Sequence, residues 1–411
     1  MNGMRLLIVA LLSLASLATS AQPFVGDEVL SDAMRPSNAA LSGVVPPVSL
    51  AQDLQGAVMA WTARNAKGVN VLYVARLDPV GRIIAPVAEI PVGTADVEAY
   101  WPSIAVSPDR MGFTLAWIEF LRKPLSDSAS AVYCRLDADL KPSARRVLAT
   151  MQATKVTVPA IVRSGKSTWI SFHSAVREIG SDGPIGLQLD AGVPVSDMIA
   201  AADFPKVVGQ ANRTANSCGY IPWLGYYPPC FNNVHDLRFV SLQAGLATRR
   251  LALRSDFWPA IQSDGRDVLV AWMNGEPGDG GTVSTVRLSA TSFVRVDEDL
   301  QGGQDIGTFG PDVVATRPDI ATDGERYVVV WSTKKPSGAR DVVAAVIDRD
   351  GQVTRLSIAA TDADERDPSI LMTAPGNFLV AYETLSNGER RLATRTLKFN
   401  GRRRAGRSNR L

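Results

Sequence analysis

The sequence predicts an all-β ring of repeated units, a β-propeller of seven blades with four antiparallel strands each, and three observations carry that reading. The stretch "WPAIQSDGRDVLVAW" at residues 258–272 returns almost unchanged as "RPDIATDGERYVVVW" at 317–331. A module of Pro, a short apolar stretch, a turn and an apolar run closed by an aromatic recurs at Pro47 to Trp61, Pro102 to Trp117, Pro159 to Phe172, Pro259 to Trp272, Pro318 to Trp331 and Pro368 to Tyr382. Its period of about 50 residues is the length of a propeller blade. Between these modules the chain alternates short β-branched runs with Gly, Asp and Pro turns, and no amphipathic helix interrupts it.

The elements follow in chain order. Residues 1–21 carry one early cation, Arg5, then "LLIVALLSLASLA", then Thr19-Ser20-Ala21, the outline of a secretory signal peptide. Its apolar run is shorter than the about 20 residues that span a bilayer, and no later stretch is long enough, so no transmembrane segment is expected in the mature chain. The propeller itself is expected over residues 22–400, with blades starting near 47, 102, 159, 205, 259, 318 and 368. Within residues 319–360 the strands are expected at about 318–322, 326–332, 341–348 and 353–359, with Asp323-Gly324 and Asp350-Gly351 as the tight turns. The unit from Pro205, reaching Trp223, is the weakest, and the alternative is six blades with residues 205–254 as an insertion. The last unit lacks a fourth strand. "GDEVLSDA" at 26–33 is expected to supply it and close the ring, which removes an exposed sheet edge.

After residue 400 the tail "GRRRAGRSNRL" (401–411) is basic and expected to be disordered. The chain's formal charge is +2; without Arg5 and the five tail arginines the body stands near −4. A nucleic-acid binder would carry a basic patch on the folded body, and no basic run precedes residue 402.

The pattern P-x-I-A-x-D-G-x-x-Y-x-V-x-W, at Pro318 to Trp331, resembles the blade repeat of secreted bacterial β-propeller proteins. The resemblance covers nearly the whole mature chain and implies a blade, a secreted or periplasmic location and no particular chemistry. Sialidase-type propellers have a related rhythm, but their Asp-box, Ser-x-Asp-x-Gly-x-Thr-Trp, is not met: "SDGRDVLVAW" spaces its Asp and Gly differently.

Binding on propellers is expected at variable loops held by a rigid scaffold. The 1–2 and 3–4 connections read as tight and the 2–3 and 4–1 connections as long, which marks one face. Its candidate loops are 118–130, 173–183, 223–236, 273–282, 332–341 and 383–390. The segment "CGYIPWLGYYPPCFNN" at 218–233 departs furthest from the repeat. Tyr220, Trp223, Tyr226, Tyr227 and Phe231 could stack on a sugar ring or a partner, or fill a satellite core under a long loop. Cys218 and Cys230 are a candidate disulfide in an oxidising compartment; Cys134 in "AVYCRLD" reads as a buried strand residue. Arg122, His173, Arg177 and Glu276 complete the candidate ligand-binding set.

Two histidines, His173 and His235, rule out a three-His metal site, and neither HExxH nor CxxC occurs. No metal, cofactor or nucleophile elbow is expected. The remaining catalytic route is a carboxylate pair, for which Glu119, Glu178, Glu276 and Glu383 are the loop-face candidates. The sequence therefore predicts an exported propeller that binds a glycan or an extracellular protein partner, with a carbohydrate-active enzyme, glycoside hydrolase or sialidase-like, as the alternative.

Overall fold

The computed structural model describes residues 23–399 except 33–47, 85, 93, 95, 122–127, 153–156, 165, 181–184, 192, 201–204, 213–214, 218–228, 232–234, 243–248, 253–255, 277–279, 291–303, 311–316 and 336. The expected signal peptide and basic tail lie outside the described residues. The described residues are all-β, in seven antiparallel four-stranded blades.

Blade 1 is Val48–Asp53, Gly56–Arg64, Asn70–Leu77 and Ala88–Ile90; blade 2 is Val97–Val106, Phe113–Leu121, Ser128–Leu136 and Arg146–Gln152. Blade 3 is Ile161–Ser164, Ser167–Phe172, Ala175–Ile179 and Ile185–Asp190; blade 4 is Val195–Ile199, Lys206–Asn212, His235–Ser241 and Arg249–Ala252. Blade 5 is Asp256–Ser263, Asp267–Glu276, Gly280–Ser289 and Gln304–Phe309; blade 6 is Asp319–Thr322, Arg326–Lys334, Arg340–Asp348 and Val353–Ala359. Blade 7 takes Asp364–Ala374, Asn377–Ser386 and Glu389–Lys398 from the C-terminal end, and its fourth strand from the N-terminal end. Phe24–Val25 and Val29–Leu30 both pair antiparallel with Glu389–Lys398, Phe24 opposite Lys398 and Val29 opposite Thr394. The expected closure holds, and the Glu28 carboxylate accepts the Tyr382 hydroxyl beside it.

The first strands line the axis and pack on one another in ring order, blade 7 returning to blade 1. Seven apolar clusters fill the seven junctions. Trp61 faces blade 7, Trp117 faces blade 1, Phe172 faces blade 2, Trp272 faces blade 4, Trp331 faces blade 5 and Tyr382 faces blade 6. Each recurrent aromatic is thus a wedge against the preceding blade, as large apolar side chains buried between sheets should be. The fit is close. Trp331 Nε1 donates to the Thr308 carbonyl at 3.1 Å, and a Cβ on Gly307 would lie 2.2 Å from the indole.

Blade 4 corrects the sequence reading. Its first strand is Val195–Ile199, so Pro205 precedes the second strand, and residues 205–254 are most of a blade rather than an insertion. Trp223 lies outside the described residues. Asp197 pairs with Val208 as Asp319 pairs with Val330, which puts Gly209 where blade 6 has Trp331. The place is closed to a larger residue, since a Cβ on Gly209 would meet the Pro194 carbonyl oxygen at 2.5 Å. With glycine in the aromatic's position, the repeat has no marker there.

Removing residues 22–33 should sharply lower the melting temperature in a thermal denaturation, because it strips the last blade of its fourth strand; an unchanged melting temperature would contradict closure by the N-terminal strand.

Candidate functional site

The loop face, where 2–3 and 4–1 connections emerge, is less varied than the sequence suggests. The 2–3 connections are 65–69, 122–127, 173–174, 213–234, 277–279, 335–339 and 387–388. Only the one in blade 4 is long. Of the candidate loop 173–183, residues 173–179 are a turn followed by a strand, Ala175–Ile179, whose polar Arg177 and Glu178 sit between buried Val176 and Ile179, and residues 181–183 lie outside the described residues. Residues 383–390 are a hairpin closed at Asn387-Gly388, with φ of 52° and 79°. Charged residues on these strands are held inside the ring, Arg177 by the Leu148 carbonyl, Glu178 by Ser167 and Glu383 by Arg366 and Arg390, so composition alone reads them as loop residues. On the opposite face 3–4 connections such as 78–87 and 137–145 are longer than expected.

The blade 4 connection leaves the ring as a small hairpin of its own, Ala215–Ser217 paired with Pro229–Phe231. Phe231 stands opposite Ala215 and Cys230 opposite Asn216. Tyr220, Trp223, Tyr226, Tyr227 and Cys218 lie outside the described residues, as does Arg122, so the candidate disulfide is not placed. Cys134 is buried as expected, and burial pushes its thiol up to about 12.

The other candidates are spread round the ring and engaged in it. His173 is a turn residue at φ 51°; its amide donates to Thr157 Oγ1 at 2.8 Å and its carbonyl accepts the Val195 amide at 2.8 Å, tying blade 3 to blade 4. Arg177 donates to the Leu148 carbonyl of blade 2 at 2.8 Å and lies over the Phe172 ring. Glu276 ends the second strand of blade 5, paired with Gly280. His173 and Arg177 thus belong to blade 3, and the backbone of Glu276 to blade 5.

The candidate acids are likewise tied. Glu119 accepts Trp117 Nε1 at 3.1 Å and Arg145 Nε at 2.9 Å. Glu178 accepts the Ser167 hydroxyl. Glu383 is buried against Arg366 Nε at 3.3 Å and Arg390 Nε at 3.6 Å. Among the described residues no group of three or more His, Cys, Asp or Glu is placed to hold a metal ion, and no helix is long and apolar enough to cross a membrane.

Two sites escaped sequence reasoning. In the first, the residue before the repeat's proline sits in a β-bulge of the innermost strand, between Tyr100 and Ser103, Phe257 and Ala260, and Arg366 and Ser369. Bulges re-aim side chains, and two of these residues, Trp101 and Asp367, have φ of 56° and 55°. Asp367 is fully buried at the junction of blades 6 and 7, its amide bonded to Ser332 Oγ at 3.0 Å and neither carboxylate oxygen hydrogen-bonded. Burial, then the neighbouring Glu383 carboxylate, push it up to about 7 against the pull of Arg366, Arg340 and Arg390. Asp364 next to it stays below the ordinary carboxylate range despite its burial, because Arg340 grips it through Nε at 2.9 Å and a second guanidinium nitrogen at 3.0 Å. Arg317, before Pro318, reaches from blade 6 past blade 5 to blade 4, donating to the Ser196 carbonyl at 2.6 Å and pairing with Asp197 at 3.3 Å. The pre-proline position is the signal that would have found these groups.

The second is a cleft of about 470 Å³ on the loop face at the closure seam. Glu28 and Leu30 of the closing strand, Thr361 and Ala363 of the connection from blade 6, and the Thr384 to Arg391 hairpin of blade 7 line it.

No protein-family model matches the chain, and no curated protein matches it. Solved structures similar to it include a Trypanosoma rangeli sialidase in complex with sialic acid, 8% identical with a TM-score of 0.47 over 91% of this chain and 59% of that one. A Dyadobacter fermentans protein of unknown function is 12% identical with a TM-score of 0.48, covering 93% of this chain and 100% of its own. The β-propeller domain of the Trilobed protease from Pyrococcus furiosus is 10% identical with a TM-score of 0.45, over 84% of this chain and 93% of that one. The chain thus spans less than two thirds of the sialidase. None of these likenesses assigns a ligand or a reaction to it.

Asp367 gives a pH test. Its raised value favours the folded state in the protonated form, so its contribution is complete below about pH 4 and lost as pH rises through about 7. Asp367→Asn should therefore melt higher than the wild type at pH 8, with the difference vanishing towards pH 4; a constant difference would place the effect elsewhere. Arg317→Ala takes the charged partner from the partly buried Asp197 carboxylate, which keeps the Ile261 and Met198 amides, and should cost about 1.5–3 kcal/mol in urea denaturation, whereas a loss under about 0.5 kcal/mol would mean that the link from blade 6 to blade 4 carries little of the fold.

Proposed function

We propose that this chain is an exported, secreted or periplasmic, non-catalytic propeller that binds a glycan or an extracellular protein partner at the blade 4 side of its loop face. The observation that carries the reading is the blade 4 excursion. In a ring whose other 2–3 connections are short, this one leaves the blade as a separate hairpin at Ala215–Ser217 and Pro229–Phe231, and by sequence it carries Tyr220, Trp223, Tyr226, Tyr227 and Phe231. Aromatics present large rigid faces at low entropic cost, which suits sugar rings and protein surfaces alike. Export rests on the Met1 to Ala21 segment.

The enzyme alternative requires two acids facing a shared open space. Glu119, Glu178 and Glu383 each have an internal partner, and Asp367 beside Glu383 is fully enclosed with it. These arrangements favour the binding reading. The test is a thermal-shift screen of residues 22–411 against envelope and plant-type oligosaccharides with product analysis of each hit. Stabilisation without cleavage, reduced in Trp223→Ala and Tyr227→Ala, is the expected outcome; cleavage would overturn the binding reading, and a screen without hits would turn it towards the protein partner.

A further inference from the structure

We infer that the cleft at the closure seam is a binding site for a neutral, hydroxyl-rich ligand of one or two saccharide units. This rests on the glycan side of the reading above and adds a site separate from the blade 4 excursion. The argument comes from which lining groups are already occupied. The charged ones satisfy one another or the ring: Glu389 accepts Arg391 at 2.9 Å, Arg391 also donates to the Ser31 carbonyl at 3.3 Å, and Glu28 accepts the Tyr382 hydroxyl with Arg395 3.9 Å away. The hydroxyls of Thr384 and Ser386 and the amide of Asn387 line the same cleft and make no side-chain hydrogen bond among the described residues. The groups with no partner of their own are thus neutral donors and acceptors, and the Glu28 and Glu389 carboxylates beside them keep acceptor capacity for sugar hydroxyls while repelling a phosphate or carboxylate.

Size and setting agree. About 470 Å³ falls within the range of small-molecule sites. The neutral groups stand on a rigid strand end and a tight turn, with Asn387 held at φ 52°. Leu30, about half exposed, supplies an apolar wall of the kind the carbon face of a sugar covers. Glu28 and Leu30 belong to the chain's N-terminal segment and the hairpin to its C-terminal blade, so a ligand here touches both sides of the closure.

Saturation-transfer NMR on residues 22–411 with cellobiose, N,N′-diacetylchitobiose and sialyllactose tests the assignment. The expected result is signal from a neutral disaccharide that persists in Trp223→Ala with Tyr227→Ala and that, in that background, falls at least about fivefold on adding Thr384→Val or the exposed pair Ser386→Ala with Asn387→Gly. The exposed pair keeps the test valid should the buried Thr384→Val fail to fold. Signal that survives the cleft variants but falls with Trp223 and Tyr227 overturns the cleft site and leaves the glycan reading intact. Preference for sialyllactose overturns the neutral ligand class, and no transfer from any of the three overturns the site together with the glycan reading.

Discussion

The ring depends on how it treats its inner edge. Each blade's first strand pairs on one side only; the other side faces the axis, where an unpaired amide away from water would cost about as much as a lost hydrogen bond. The solution recurs. Ile370 donates to Asp319 Oδ2 at 2.9 Å, Ile261 to Asp197 Oδ2 at 3.0 Å and Ile104 to Ser49 Oγ at 3.2 Å, each amide two residues after the repeat's proline and each acceptor on the preceding blade. Proline has no amide to satisfy and tolerates the bulge. The Pro-x-Ile of the repeat is therefore a junction between blades as much as a feature within one, and the aromatic wedges set the spacing that brings donor and acceptor together.

That division explains what could be read in advance. Blade 6 was legible to within two residues at each strand end, because Asp323-Gly324 and Asp350-Gly351 fix its turns and Trp331 marks its second strand. Blade 4 was not, because a glycine pressed against Pro194 replaces the marker. Arg177, Glu178, Glu383 and Arg390 looked like loop residues because charge usually means solvent, yet here each is held inside the ring, Arg177 by the Leu148 carbonyl of blade 2, Glu178 by Ser167 of its own blade, and Glu383 between Arg366 and Arg390 of blade 7. No local pattern encodes which blade they will face, so neither the buried acid cluster nor the cleft could be assembled from sequence. The aromatic excursion of blade 4 was visible as composition, and the structure adds the hairpin that anchors it.

The charged groups show a scaffold that uses polar chemistry internally. Arg340 with Asp364, Arg145 with Glu119 and Arg76 with Asp53 span strands or blades with well-formed geometry, and the cost of taking such charges from water offsets much of what each pair gains. Groups so committed hold positions within the scaffold.

The shared seventh blade also orders assembly in time. A chain growing from its N-terminus presents Phe24 to Leu30 long before Glu389 to Lys398 exists, and a contact of such sequence separation is slow to find. Until then the first segment is an unsatisfied strand and the last blade an open edge, the state most exposed to mispairing with another copy. Closure is thus the step at which the molecule becomes safe from itself, and it is available only to a complete chain.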